Sequence, residues 1–352
     1  MTSSNSSIDV SCTPSAVDAA QTSQCNAQVQ GSATSSVTWS TSAGTISSSG
    51  QFTAPASGGG VTITATSTQN TGNVGQATVT VLAAPPSHHV VMVMEENQSY
   101  STVVGNTADW PNLNNLIQTG ALPTNAYANV HPSIGDYFML TTGQILTNND
   151  SSTAVWNVDN LARRMLAAKI SFKVYAEGIT QGYLGGDTGL YVIRHNPFPM
   201  LSAVAGNPAV ANAVLCPFTQ FATDLANNAL PEFSFISPNV DDDAHDGTPQ
   251  QADSWLPSNV IASLSSLPAF KAGGDGLLIV DFDESVDTDV AYGGGHIPIV
   301  LWGPGVKPGY RQASNAIYQQ QSVLRTVMEA LQLANPPAAA APAPSMAEFF
   351  VQ

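Results

Sequence analysis

Acidic and amide side chains directly follow three apolar runs of this chain: Glu96 with Asn97, Asp283 with Glu284, and the acidic segment 241–246. Ligands of an open α/β sheet bind beyond the carboxyl ends of its strands, so we expect these side chains to meet there. So many carboxylates repel one another unless a cation lies between them. Any single cluster is more typical of solvated loop acids or helix N-caps than of a metal site. Three clusters at three strand ends favour a site for a hard divalent cation.

A serine placed like a nucleophile occurs in the segment His131-Pro132-Ser133-Ile134-Gly135-Asp136-Tyr137, which precedes the apolar residues 138–140. A serine at the start of a helix lies where free N–H groups favour an anion such as phosphate. The alternative is that Ser133 or Asp136 is an ordinary N-cap. The chain has no GxSxG motif and no Walker-type motif, which disfavours a serine-hydrolase triad and a P-loop.

The part of the chain that carries these residues alternates strand and helix patterns. Apolar runs of strand length lie at 89–94, 170–175, 233–236, 277–280 and 297–301, and helical patterns lie at 111–119, 158–169, 259–267 and 322–333. This alternation predicts an α/β domain with a central, mostly parallel sheet covered on both faces. The Ala- and Pro-rich stretch 336–344 is predicted to be a stiff surface tail.

Residues 1–84 have a different composition. They contain two acidic residues, Asp9 and Asp18, and no Lys, Arg or His. Period-two alternation at 37–40, 61–66 and 77–81, separated by Gly, Ser and Asn clusters, predicts a small β-sandwich. Cys12 and Cys25 are close enough in sequence to join neighbouring strands, which would suit an oxidising compartment. Paired prolines then predict a linker at 85–87, followed by a catalytic domain over 88–352.

Composition excludes several classes of protein. The 352 residues include 9 Lys and Arg against 25 Asp and Glu, a net charge of −16, so a nucleic-acid partner is not expected. No run approaches the roughly 18 apolar residues of a membrane span. The start, MTSSNSSIDV, lacks the basic and apolar regions of a signal peptide. We nevertheless expect a secreted, periplasmic or cell-surface protein whose signal is not part of this sequence.

The first domain resembles the bacterial immunoglobulin-like repeat, through Thr38-Trp39-Ser40, the segments 44–47 and 50–55, and the closing strand at 77–81. The resemblance implies a spacer, or a domain that contacts the cell surface or a polysaccharide.

The second domain resembles the bacterial phosphoesterase family of acid phosphatases and phospholipases C, which is related in fold to alkaline phosphatase. Six motifs match in order: Met94-Glu95-Glu96-Asn97 through Tyr100; His131-Pro132-Ser133 through Gly143; 194–198; Ser237-Pro238-Asn239 with 243–246; Asp283-Glu284; and His296-Ile297-Pro298 with 303–305. The resemblance implies an α/β/α sandwich. Two positions depart from the family: Gly135-Asp136 replaces the usual Pro-Asn, and Gln319–Gln321 stands where a His is often seen.

The resemblance also implies roles for individual residues. Glu96, Asn97, Asp283 and Glu284 would hold a metal ion, and Ser133 would be the nucleophile that becomes phosphorylated. His245, His296 and His131 would contact phosphoryl oxygens or assist the leaving group, and Asn97, Ser133 and His245 would bind the phosphate. Asp243 and Asp246 would orient His245 or bind a second ion, His195 would be catalytic or architectural, and Asp136 would add a negative charge near the phosphate.

We therefore predict a metal-dependent hydrolase of phosphoric esters, an acid-phosphatase-type phosphomonoesterase that works through a phosphoserine. The alternatives are a phospholipase C-type phosphodiesterase and a non-enzymatic, calcium-binding surface or adhesion protein. The substrate would be a small phosphate ester or a phospholipid. Oxygen ligands favour Ca²⁺, Mg²⁺ or Mn²⁺, whereas participation of histidine favours Zn²⁺ or Fe.

Overall fold

A computed structural model describes residues 7–19, 21–31, 36–55 and 58–351. The chain forms two compact units, Met1–Ala84 and Pro85–Gln352. None of the helices among the described residues has both the length and the apolar character that crossing a membrane requires.

The described residues of the first unit form two four-stranded sheets. The strands are β1 (Ser7–Thr13), β2 (Ala16–Asp18), β3 (Thr22–Gln30), β4 (Val37–Thr41), β5 (Thr45–Ile46), β6 (Gln51–Thr53), β7 (Gly59–Ser67) and β8 (Val74–Leu82). One sheet has the order β1-β3-β6-β5 and the other β2-β8-β7-β4. All pairings are antiparallel except that of β2 with β8.

Alternating side chains of both sheets build the core of this unit. Phe52 of one sheet and Ile63 and Val79 of the other are fully buried in the same cluster. Cys12 and Cys25 lie opposite each other on β1 and β3 and form a disulfide. A period-two pattern with one apolar face is what a half-buried strand requires, so the strands follow directly from the sequence.

The second unit is built on one large sheet of eight strands. They are β9 (His89–Glu95), β10 (Ala121–Leu122), β11 (Phe172–Ala176), β12 (Leu215–Pro217), β13 (Phe233–Ser237), β14 (Gly276–Phe282), β15 (Ile299–Trp302) and β16 (Tyr310–Arg311). Their order is β12-β11-β13-β9-β14-β15-β10-β16. In this order the first five strands, from β12 to β14, are parallel, and β15 is antiparallel to its two neighbours. The predicted mixed α/β domain with a mostly parallel sheet is confirmed.

Ten α-helices accompany this sheet in the described residues. They are α1 (Tyr100–Val103), α2 (Pro111–Thr119), α3 (Ile134–Thr142), α4 (Leu161–Ala168), α5 (Ser202–Ala205), α6 (Pro208–Val214), α7 (Thr219–Ala226), α8 (Pro249–Leu256), α9 (Ala262–Ser266) and α10 (Gln320–Ala330). A π-helical turn, Pro257–Ile261, joins α8 to α9. The predicted helix at 158–169 begins later than expected because Asn160 caps it, its side chain accepting the N–H of Arg163 at 2.8 Å.

The Ala- and Pro-rich stretch 336–344 is not the surface tail that its composition predicts. Ala340 and Ala343 are buried, and 338–340 form a short 3₁₀ turn. Arg325 on α10, itself buried, donates to the carbonyl oxygens of Ala341 at 3.2 Å and Ala343 at 2.5 Å. Backbone carbonyls of this Ala- and Pro-rich segment therefore satisfy a buried guanidinium, which holds the segment against the domain.

Candidate active site

Three neighbouring parallel strands bring the predicted acidic residues to one edge of the large sheet. The strands β13, β9 and β14 lie side by side, so the loops that follow them meet. The backbone ties these loops together, because Glu96 donates its N–H to the carbonyl of Asp243 at 2.8 Å. The N–H of Asp283 reaches the carbonyl of Glu95 at 3.2 Å.

Ser133 lies at the centre of this group. It is the residue that precedes α3, and it is 2% exposed. Its Oγ is 2.9 Å from Oε1 of Glu284 and 3.2 Å from Oε2 of Glu96. The structure therefore brings together the predicted nucleophile and two of the predicted metal ligands, from three separate segments of the chain.

Asn97 and Asp283 complete the group of predicted ligands. Asn97 has a φ of 54°, in the left-handed region that Asn tolerates better than most residues. In this conformation its N–H donates to Oδ1 of Asp283 at 3.2 Å. The other oxygen of Asp283, Oδ2, is buried and has no hydrogen-bond partner among the described residues. An unpartnered buried carboxylate oxygen is unusual, and it is a natural ligand for a cation.

The pKa values of the carboxyl groups also indicate a cation site. Burial, together with the charge of Glu284, raises the pKa of Asp283 to about 8. Burial and then the charge of Asp283 raise the pKa of Glu96 well above its usual value, and burial raises the pKa of Glu284. The carboxylates are costly as neighbouring anions and become favourable around a cation. The donors brought together here, three carboxylates and a hydroxyl, fit a divalent metal ion, and Asn97 adjoins them through its backbone N–H.

A second potential metal site shares Glu96. Ligand atoms of Glu96, His195 and Asp243, all buried, lie within 4.8 Å of one another. His195 Nδ1 is 3.0 Å from Oδ2 of Asp243, and its Nε2 is 3.2 Å from Oε1 of Glu96 without the geometry of a hydrogen bond. Burial and then the charge of Arg194 lower the pKa of His195 well below its usual value, which leaves a neutral ring. The lone pair on Nε2 thus faces a carboxylate oxygen, an arrangement that a cation stabilises.

Tyr137 is a site residue that the sequence analysis missed. Its hydroxyl donates to Oε1 of Glu96, and its ring stacks on His195 at a centroid distance of 5.6 Å. Burial and then the charge of Glu96 raise its pKa well above the usual value, so it acts as a neutral donor. Tyr137 follows Ser133 by four residues, and Ser133 directly precedes α3 with helical backbone angles, so the two side chains lie on the same side of the helix start. This four-residue spacing is the sequence feature that could have identified Tyr137 as a site residue.

His131 lies against Glu284 on the side away from Ser133. Its Nδ1 is 2.5 Å from Oε2 of Glu284, and its Nε2 is 2.9 Å from the carbonyl oxygen of Asp289. Because a carbonyl only accepts, Nε2 carries a proton. Burial alone would lower the pKa of His131, but the bond to Asp289 and the charge of Glu284 raise it above the usual value.

His245 lies on the other side of the group. Its Nδ1 is 2.7 Å from Oδ1 of Asp246, and its backbone N–H donates to Oδ1 of Asp243 at 2.9 Å. Its ring centre is 5.3 Å from that of His195. Asp243 therefore contacts both histidines, and Asp246 contacts His245.

Two of the predicted residues have other surroundings. His296 stacks on Tyr100 and on Tyr127, with ring centres 4.2 and 4.8 Å away, and its Nε2 donates to the carbonyl of Thr124 at 3.1 Å. The structure does not bring this side chain into contact with Ser133 or the carboxylates. Asp136 accepts the N–H groups of Asn129 at 2.6 Å and Val130 at 3.2 Å, so its carboxylate stabilises the loop that leads to His131.

Gln320 positions the strand end that carries Asp283. This residue is fully buried in the run 319–321, and its Nε2 donates to the carbonyl of Phe282 at 3.0 Å. The contact fixes the end of β14 immediately before Asp283. A neutral amide therefore occupies the position at which the resemblance suggested a histidine.

Comparisons with known proteins identify relatives of the second unit. A family model described as the phosphoesterase family matches residues 106–334. A phosphatidylinositol-3-phosphatase of Mycobacterium tuberculosis is 32% identical over 259 residues, which cover 73% of this chain and 82% of that protein. A phosphate-repressible acid phosphatase of Penicillium chrysogenum is 32% identical over 181 residues, 49% of this chain and 43% of that protein. The chain thus spans less than half the length of this fungal relative.

Solved structures are similar in fold. A lipoteichoic acid synthase, LtaP, from Listeria monocytogenes superposes with a TM-score of 0.50 and 13% identity, over 73% of this chain and 75% of that one. A protein in the alkaline phosphatase superfamily from Vibrio parahaemolyticus gives a TM-score of 0.46 at 13% identity, over 74% and 72% of the two chains. At such identities the likeness concerns the fold alone.

Proposed function

This chain belongs to the phosphoesterase family and is a phosphoric ester hydrolase, and on that premise we propose that it is a metal-dependent phosphomonoesterase of acid-phosphatase type. Ser133 is the proposed nucleophile, and Glu96, Asn97, Asp283 and Glu284 are the proposed ligands of one divalent ion. Membership of an enzyme family favours this function over that of a non-enzymatic, calcium-binding surface protein.

One observation carries the proposal. The Oγ of Ser133 lies 2.9 Å from Oε1 of Glu284 and 3.2 Å from Oε2 of Glu96, in a group that includes Asp283, whose Oδ2 has no hydrogen-bond partner among the described residues. A bound divalent ion would neutralise the charge of the phosphoryl oxygens and stabilise the alkoxide form of the serine. The side chain of Ser133 makes no capping hydrogen bond to α3, so capping does not explain a hydroxyl buried among carboxylates.

The residues around Ser133 can move the protons of a two-step reaction. The Oγ would attack phosphorus, and its proton would pass to a carboxylate within hydrogen-bond reach, such as Glu284. His131 on the other oxygen of Glu284 would share that proton. His245 would protonate the departing alkoxide, and water would then hydrolyse the phosphoserine and regenerate Ser133.

Glu96, His195 and Asp243 are the proposed ligands of a second ion. Their buried ligand atoms lie within 4.8 Å of one another, and Glu96 belongs to both proposed ligand sets. Since His195 supplies nitrogen, this second position favours Zn²⁺ or Fe more than Ca²⁺.

The proposed substrate is a phosphate monoester, either a small molecule or a phospholipid headgroup. The relatives are named as phosphatases, one as a phosphatidylinositol-3-phosphatase and one as an acid phosphatase. The alternative is a phospholipase C-type phosphodiesterase, which the family resemblance also allows. For the first unit we propose an immunoglobulin-like spacer, residues 1–84, joined by the linker 85–87 to the catalytic domain 88–352, in an exported protein. Contact of this unit with a cell surface or polysaccharide is part of the same proposal.

A substrate comparison on the chelator-treated protein tests this function. After separate reconstitution with Ca²⁺, Mg²⁺, Mn²⁺, Zn²⁺ or Fe²⁺, p-nitrophenyl phosphate should be hydrolysed and p-nitrophenyl phosphorylcholine should be hydrolysed at least about tenfold more slowly. The chelated protein should be inactive. Faster turnover of the choline diester would favour the phospholipase C alternative, and equal turnover with and without metal would contradict the metal requirement.

A further inference from the structure

Asp150 places a carboxylate beside the proposed nucleophile. Its Oδ1 accepts the N–H of Ile134, the residue that follows Ser133, at 3.2 Å. Its Oδ2 is 3.9 Å from Nε of Arg194. The side chain is 33% exposed, so it reaches the site from the solvent side.

The N–H that follows a nucleophile is a group that can bind a phosphoryl oxygen, because it points to where negative charge develops. Here a carboxylate oxygen already occupies that N–H. Carboxylate and phosphoryl oxygens carry negative charge and accept the same hydrogen bonds, so Asp150 has the chemistry of a stand-in for the substrate.

Arg194 is held loosely between several partners. Its Nε and Nη1 are 3.9 Å from carboxylate oxygens of Asp150 and Asp187, beyond hydrogen-bond distance. Its Nη2 donates to Nε2 of His245 at 3.3 Å. A guanidinium binds carboxylates and phosphates through paired, shorter hydrogen bonds, and Arg194 has neither carboxylate at that distance. In a chain with 9 Lys and Arg against 25 Asp and Glu, this positive charge beside the site is valuable for binding an anion.

The contact with Arg194 also determines which ring nitrogen of His245 carries the proton. A guanidinium only donates, so Nε2 of His245 is the acceptor, and the ring proton lies on Nδ1, where it is donated to Asp246. In this arrangement Nε2 has no proton to give a leaving group. Movement of Arg194 towards a phosphoryl oxygen would free Nε2 to take up a proton from water, which His245 would then give to the leaving group.

We propose that Arg194 binds the phosphoryl oxygens of the substrate together with the N–H of Ile134, and that Asp150 fills this position in the free protein. Binding of the substrate exchanges the Asp150 carboxylate for the phosphate and withdraws Arg194 from His245. Arg194 is thereby a substrate-binding residue, and Asp150 sets the affinity for phosphate. The proposal rests on the proposed function, since it places the phosphoryl group at Ser133.

Calorimetric titration of the full-length, metal-reconstituted protein with inorganic phosphate tests the exchange. Asp150→Asn keeps an oxygen that can accept the N–H of Ile134 but removes the competing charge, so the dissociation constant of phosphate should fall about fivefold to tenfold. Asp187→Asn is the matched control. Asp187 is also 3.9 Å from Arg194, but it accepts the N–H of Ile193 instead, and phosphate binding should change by less than about twofold.

Arg194→Gln should weaken phosphate binding by about tenfold or more and raise KM more than it lowers kcat, and Arg194→Lys should recover part of the loss. Unchanged or weaker phosphate binding in Asp150→Asn would overturn the proposal, as would an effect of equal size in Asp187→Asn. If Arg194→Gln does not fold, as judged by circular dichroism, Asp150→Asn decides alone. Phosphate that binds as expected to a protein without phosphatase activity would refute the proposed function and leave the exchange standing.

Discussion

The two units of this chain differ in where they place ionisable groups. The first has two acidic residues in 84, and its core is built from aliphatic side chains, Phe52 and a cystine. The second buries a series of carboxylates at the ends of its central strands, Glu95, Glu96, Asp243, Asp281 and Asp283. Buried charge is costly, so a fold that needs only stability avoids it, as the first unit does. The cost in the second unit is therefore a sign of function.

The first prediction concerns the proposed nucleophile and has the largest expected effect. Ser133→Ala should lower kcat for p-nitrophenyl phosphate by about 10³-fold or more, because it removes the hydroxyl that would carry the phosphoryl group. Ser133→Ala should still bind the metal ion, as measured by calorimetry. Ser99→Ala is the control, since Ser99 is a buried serine hydrogen-bonded to Ser285 rather than to a carboxylate. Full activity in Ser133→Ala would refute its role.

The second prediction compares two adjacent buried carboxylates. Glu96 contacts Ser133, Tyr137 and His195, whereas neither oxygen of Glu95 has a hydrogen-bond partner among the described residues. Glu96→Gln should lower activity by about 10²-fold and weaken metal binding, whereas Glu95→Gln should leave both within about threefold. Both variants should melt at or above the temperature of the metal-free parent, because each removes a buried acid. Loss of metal binding in Glu95→Gln alone would reverse the assignment.

The third prediction is a pH dependence of stability that only the second unit should show. Burial raises the pKa values of Asp243 and Asp283 to about 8, against about 3.9 in an unfolded chain. The folded state therefore holds more protons, and its stability without metal should fall as the pH rises from about 4 to about 8. Thermal melts in chelator across this range should show a falling melting temperature. A bound cation should reduce the fall, because it replaces those protons.

The fourth prediction concerns the first unit and has the smallest effect on catalysis. Replacement of both Cys12 and Cys25 by Ser opens a loop with a sequence separation of 13 and should destabilise that unit by about 3 kcal/mol. Turnover of p-nitrophenyl phosphate at 25 °C should stay unchanged. Urea unfolding monitored by tryptophan fluorescence, to which Trp39 contributes from this unit, would report the loss. A large fall in kcat would show that the first unit contributes to catalysis.

Much of the site could be predicted because strand direction determines it. Apolar runs such as 277–280 identify buried parallel strands, and residues that follow those strands, such as Asp283 after β14, lie at the carboxyl edge of the sheet. Ser133 was predictable for a similar reason, since it precedes an apolar helix. The family resemblance added the roles of these residues, and the contacts around Ser133 support those roles.

Residues outside such runs were harder to place. His195 lies in a short 3₁₀ turn with no strand before it, so nothing local indicates that it meets Glu96 and Asp243. His296 precedes a strand, but tyrosines from two distant segments determine where its ring packs. The stretch 336–344 has the composition of a solvated tail, yet a buried arginine elsewhere binds its carbonyl groups. Each of these outcomes depends on long-range packing that local sequence does not encode.

The central claim is that Ser133 attacks phosphorus among the carboxylates of the second unit. Acid quenching of the metal-reconstituted protein during turnover of p-nitrophenyl phosphate, followed by peptide mass spectrometry, tests it most directly. We expect one phosphate group on the peptide that contains Ser133, absent from Ser133→Ala and from the unreacted protein. Phosphate on a histidine, or steady turnover with no phosphorylated peptide at any quench time, would contradict the account.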